Sequence, residues 1–192
     1  MRTKEFQEEE ILKKAIAIFW RKGYNATSLH DLIEELGIGR SSIYHAFGDK
    51  QNLYLKALDL YQKEGIERIK AKLANSLSAK QAIADFLSTV VNSACTDNQS
   101  KGCFKINAEV EVAPHDEQVK KLVCEDNLMI EEIIYEAIKK GQNDGEINKT
   151  KDPKALTHFV CNTITGMRVY AKVRTDRQFF DHIVETTMSV FD

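Results

Sequence analysis

Apolar side chains near the start of the chain recur at intervals of three and four residues. Ile11, Leu12, Ala15, Ile16, Phe19 and Trp20 form one stripe of a helix that runs from about Phe6 and ends at Gly23. Leu29, Leu32, Ile33 and Leu36 repeat the spacing over a short second helix, opened by Ser28 with Asp31 three residues on and closed by Gly37. After Ile38 and Gly39, the polar run Arg40-Ser41-Ser42 leads into Ile43, Tyr44, Ala46 and Phe47, a third short helix ending near Gly48. Two short helices joined by a Gly-Ile-Gly turn predict a helix-turn-helix.

The helical spacing continues. Asp49 caps a long fourth helix from Lys50 to Leu73, with Gly65 inside it at a cost of about 1 kcal/mol relative to alanine. A fifth helix is predicted over Ala82 to Val91 and a sixth over Gly102 to Ala113, with a polar loop from Thr96 to Lys101 between them. Pro114-His115-Asp116 breaks the chain before a seventh helix, Glu117 to Lys140. Asp152-Pro153, an N-cap followed by proline at the first helical position, starts an eighth that runs to about Val173, and Asp176 caps a ninth that runs to Phe191. The pattern predicts an all-α protein of about nine helices: an N-terminal helix-turn-helix head over 1–48 and a larger helical core over 49–192. No strand, internal repeat or low-complexity linker interrupts it.

Composition narrows the classes. With 192 residues, 43% hydrophobic and 29% charged, the chain can bury a sizeable core beneath a well-solvated surface, and a multidomain enzyme is not expected. No apolar run reaches the roughly 18–20 residues of a spanning helix, and the N-terminus, with Arg2, Lys4, Glu5 and Glu8 to Glu10, lacks the apolar stretch of a signal peptide, so a cytoplasmic location is expected. Net charge is only -2, and residues 1–50 carry eight basic and eight acidic side chains. That balance excludes avid, indiscriminate DNA binding but not a localised reading surface. Cys95, Cys103, Cys124 and Cys161 have neither the spacing of a metal site nor that of a CxxC pair, which predicts free thiols and no metal. The absence of a P-loop, a dinucleotide fingerprint or a Cys/His or Ser/His/Asp pattern argues against an enzyme. A helical thiol-redox protein or enzyme that does not bind DNA stands as the alternative.

The segment Thr27-Ser28-Leu29-His30-Asp31-Leu32-Ile33-Glu34-Glu35-Leu36-Gly37-Ile38-Gly39-Arg40-Ser41-Ser42-Ile43-Tyr44-His45-Ala46-Phe47-Gly48-Asp49-Lys50 resembles the TetR/AcrR family of one-component transcriptional regulators. The resemblance is dense over residues 6–56, and the helices behind it resemble the family's ligand-binding and dimerisation core. It implies a cytoplasmic homodimeric repressor, without a cofactor, that binds a palindromic double-stranded DNA operator and is released by an inducer.

Residue chemistry supports the same assignment. A recognition helix must present short or forked polar groups to a major groove about 12 Å wide. Arg40, Ser41 and Ser42 stand at its N-terminal end as base readers, Arg40 first because its fork matches guanine O6/N7. Thr27 and Ser28, at the start of the second helix, have hydroxyls and backbone N–H groups suited to a phosphate. The resemblance implies phosphate contacts from Tyr44 and Lys50, and likewise from Thr27. The histidine common in the family before the aromatic residue is replaced by Ala46, with His45 one place earlier, so no contact is carried over to it.

In the core, the resemblance makes residues 50–73 a lever between effector site and head, in which Gly65 either softens the helix or permits close packing. Gly102-Cys103-Phe104, flanked by Lys101 and Lys105, together with Lys172, resembles the branch of the family that senses electrophiles or oxidants through a thiol. A helix N-terminus and nearby cations favour thiolate. A buried structural Cys103 in a regulator of ordinary small molecules is the alternative. Cys95, Cys124 and Cys161 are expected as small core residues, and the last two helices as the dimer's four-helix bundle.

Overall fold

The computed structural model describes residues 2–74, 76, 78–96 and 101–192, with side chains from residue 8 onward. Its elements are α1 (Arg2–Lys22), α2 (Leu29–Leu36), α3 (Arg40–Phe47), α4 (Lys50–Ala74), α5 (Ala79–Thr96), α6 (Phe104–Glu111), α7 (Glu117–Asn143), α8 (Pro153–Tyr170) and α9 (Arg177–Ser189), and among the described residues there is no strand. The fold is all-α, as the spacing predicts. Boundaries shift where caps act: α8 stops at Tyr170, leaving Lys172 in a following turn, and α5 extends at both ends. The loop expected between Thr96 and Lys101 falls largely on residues 97–100, outside the described ones.

The chain divides into two compact units, Met1–Glu64 with Cys103–Cys124, and Gly65–Gly102 with Glu125–Asp192. The first unit packs α1 against α2 and α6. Its interior is aromatic at the centre. The Tyr54 ring meets those of Phe19 and Phe104 edge-on at 5.0 and 5.6 Å, and Tyr61 meets Phe104 at 5.5 Å and Trp20 at 5.3 Å. Each such pair is worth about 0.5–1.5 kcal/mol beyond the area it buries. Ile43 and Phe47 of α3 and Leu32 and Leu36 of α2 join this core, which fixes the helix-turn-helix upon α1.

The second unit packs α5 against α8 and α9 around Ile83, Leu87, Ile134, Val160, Met167 and Phe180. Asp152 and Asp176 cap α8 and α9 by accepting from Lys154 N at 2.9 Å and Phe179 N at 3.1 Å. Glu146 accepts from Ser78 Oγ and Lys80 N, and the Lys80 amide in particular holds its carboxyl below the usual range. No described helix is long and apolar enough to cross a membrane.

Candidate nucleic-acid interface

Helix α3 is amphipathic in the sense that reading DNA requires. Its inward residues Ile43 and Phe47 are 1% and 4% exposed, while Arg40, Ser41, Ser42, Tyr44 and His45 face solvent. Gly37, in the left-handed conformation, ends α2, and Gly39 begins α3 without a side-chain cap. No capping side chain precedes the first turn of α3. The Arg40 guanidinium stacks 5.5 Å from the centre of the Tyr44 ring, which holds the fork beside the phenol for which the family resemblance implies a phosphate contact.

The N-terminus of α2 is built differently from expectation. Thr27 is 1% exposed, and its hydroxyl donates to Gly23 O at 2.6 Å. The side chain that was to meet a phosphate is buried and committed to the α1–α2 turn, so Thr27 positions the backbone instead. Ser28 is exposed but forms a capping box: its hydroxyl accepts from Asp31 N at 3.1 Å and donates to Asp31 Oδ2 at 2.8 Å, and its own N–H also donates to Asp31 Oδ2, at 2.8 Å. The amides of Leu29 and His30 have no acceptor within the helix.

Lys50 opens α4 with its ammonium 4.3 Å from the centre of the Tyr24 ring. Burial lowers its pKa, against the opposing pull of Glu111 and Asp31. Lys56 lies over the Phe47 ring at 5.4 Å and pairs with Glu8 at 2.7 Å.

Between α1 and α2 the surface charges are paired. A surface groove of about 510 Å³ between α1 and α2 is lined by Ile18, Arg21, Lys22, Asp31, Glu34 and Glu35. Arg21 pairs with Glu35 at 2.6 Å and Lys22 with Asp31 at 2.7 Å. The Lys22 ammonium, with the amide and hydroxyl of Ser28, holds the Asp31 carboxyl far below the usual carboxylate range. The two cations of this groove are thus matched by acids.

Among the core residues, Cys103 is 4% exposed and occupies the N-cap of α6, with Tyr61 Oη 3.6 Å from its sulfur. Gly102 has φ +63, and a Cβ there would come within 2.8 Å of Lys172 Cγ, so the lysine stem lies on the residue that precedes the thiol. None of the four cysteines is in a disulfide; Cys124 is exposed, not part of the core as expected, because it falls on the outer face of α7.

Three features had no signature in the sequence. Gln62, 5% exposed on α4, has both Oε1 and Nε2 buried without a hydrogen-bond partner. Glu111, the last residue of α6, accepts from two backbone amides of the α1–α2 turn, and Asp116 accepts from Gln51 Nε2 at 2.6 Å while capping α7.

A helix-turn-helix presenting Arg40, Ser41 and Ser42 on a small aromatic-cored head defines a DNA-reading regulator. Residues 11–68 match the family described as "Bacterial regulatory proteins, tetR family", and residues 79–187 match "Tetracyclin repressor-like, C-terminal domain". The uncharacterised HTH-type transcriptional regulator YezE of Bacillus subtilis (strain 168) is 31% identical, covering 100% of this chain and 99% of its own length. The HTH-type transcriptional repressor ComR of Escherichia coli (strain K12) is 29% identical over 99% of this chain and 91% of its own. A cysteine mutant of the TetR family regulator CifR, solved with 26-base-pair double-strand operator DNA, superposes with a TM-score of 0.84 at 27% identity, covering 95% of each chain. The chain belongs to the TetR family, and it is a DNA-binding transcriptional regulator rather than an enzyme.

Proposed function

We propose that this regulator acts in the cytoplasm as a homodimeric repressor, bound to a palindromic operator through α3 and released by an effector in its helical core. Residues 1–48 read DNA, and residues 49–192 bind effector and dimerise. The observation that carries the reading is the outward face of α3, where Arg40, Ser41 and Ser42 stand exposed beside Tyr44. Arg40 reads guanine bidentately, and the serines approach neighbouring bases. Tyr44, Lys50 and the α2 N-terminus, entered through Ser28, hold the phosphates. The repressor name of ComR supports this direction of control, and the operator complex of CifR supports the DNA partner.

Two effector routes have support within the core. Gln62 has an unmet donor and acceptor for a small molecule bound non-covalently. Cys103, with Lys172 against the preceding glycine, supports a route through thiol modification by an electrophile or oxidant.

The DNA roles are tested with a duplex that the wild-type chain selects from random sequence. Arg40→Ala is expected to lose about 1–3 kcal/mol of discrimination against a mismatched guanine while retaining binding to unrelated duplexes. Lys50→Ala is expected to weaken all duplexes alike and to lower the salt slope by about 1. Equal losses on selected and random DNA for both variants overturn this division of roles.

A further inference from the structure

Helix α1 ends at Lys22, and Gly23, at φ +84, turns the chain toward α2 with its N–H on Phe19 O at 2.8 Å. The next two amides, of Tyr24 and Asn25, leave the helix and share one acceptor. Successive N–H groups beside a left-handed residue form a concavity that suits an anion. Here the anion is internal: Glu111 accepts from Tyr24 N at 3.1 Å through Oε2 and from Asn25 N at 2.8 Å through Oε1. The carboxylate sits so close that a Cβ on Gly23 would lie 2.8 Å from Oε2. Glycine is thus favoured at residue 23 by its backbone angle, and a Cβ there would also displace a side chain 88 positions further on.

The held turn leads directly into the reading head. Thr27 ties back to it, with its hydroxyl on Gly23 O at 2.6 Å and its N–H on Tyr24 O at 3.3 Å, and Ser28 then caps α2. At the other end of α6, about 12 Å away for eight residues, Phe104 is clamped between the rings of Tyr54 and Tyr61. The helix is anchored at both ends within one compact unit.

We infer that Glu111 is the positioning residue that sets the α1–α2 turn, and through it the capped N-terminus of α2, so that α6 bears directly on the reading head. The inference rests on the DNA-reading role assigned to α2 and α3. It gives the head a support separate from the first turn of α4, which is tied to the α6–α7 corner by Gln51 and Asp116.

Three substitutions test it in the full chain: Glu111→Ala, Glu111→Gln and Gly23→Ala. Amide exchange at Tyr24 and Asn25, thermal melting, and affinity for the duplex selected by the wild type are read on each. Glu111→Ala is expected to speed exchange at both amides and to weaken the selected duplex about tenfold while still melting cooperatively. Glu111→Gln, which keeps one acceptor oxygen and the same shape, is expected to fall between, and keeps the test open where alanine does not fold. Gly23→Ala is expected to cost less affinity in the Glu111→Ala background than in the wild type, because the two changes break one contact. Unchanged exchange overturns the latch. Faster exchange with unchanged affinity in both Glu111 variants overturns its role in positioning. A wild-type chain that selects no duplex overturns the DNA-reading assignment instead, and the exchange measurements still decide whether the latch exists.

Discussion

At the scale of single residues, the informative side chains are those whose polar atoms are either over-committed or orphaned. Thr27 is of the first kind, since its one proton is spent on Gly23 O. Gln62 is of the second, because leaving an amide group buried and unpaired costs about 1–3 kcal/mol. Gln62→Leu is therefore expected to raise stability in urea unfolding by an amount in that range; a loss would mean that the carboxamide finds partners in solution. The same variant separates the two effector routes. An inducer gripped by Gln62 fails to release the leucine variant from DNA but still releases Cys103→Ser, whereas a thiol-directed inducer gives the reverse pattern. The environments of Gln62 and Glu111 were not legible in the sequence. Gln62 occupies one polar position in a helical stripe, and nothing local distinguishes a satisfied glutamine from an orphan. Glu111 meets its partner amide in a residue 87 positions away, through backbone groups that carry no residue-type signal.

At the scale of helices, the sequence was far more transparent. The start of α2 and the starts of α8 and α9 were marked by Ser28, Asp152 and Asp176, and all three side chains cap in the structure. Caps and apolar periodicity are local, and so survive folding unchanged. Where a tertiary contact decides, local reading stops. Gly65 is such a place: the sequence allowed either a softened lever or close packing, and a Cβ there would meet only Arg68 Nη2, at 3.9 Å. No crowding demands glycine, and the position is also where α4 passes from one compact unit to the other. Gly65→Ala is expected to stabilise the chain by about 0.5–1 kcal/mol, read by denaturant unfolding, through helix propensity alone. If softness at this point transmits induction, the same variant needs more inducer for half-release from DNA. Destabilisation would reveal a packing role after all.

At the scale of the molecule, near-neutral charge and an ion-paired groove between α1 and α2 mean that affinity for DNA has to come from few contacts held in register. A dimer supplies that register by spacing two α3 helices about 34–36 Å apart, one turn of duplex. The second unit has the apolar surface for it: Phe159, Val169, Tyr170 and Val173 are 43–81% exposed. Sedimentation at micromolar concentration is expected to show a particle of twice 21.9 kDa, and a single-chain mass would overturn the palindromic mode of binding. The way α6 folds back onto α1 has a practical consequence for building hybrid regulators. A head transplanted from this chain with a cut after residue 48 would leave behind the carboxylate that fills the Tyr24–Asn25 concavity and the Tyr54 ring that packs edge-on against Phe19. The transferable specificity cassette is discontinuous, and a graft has to carry residues 103–124 along with the first 64.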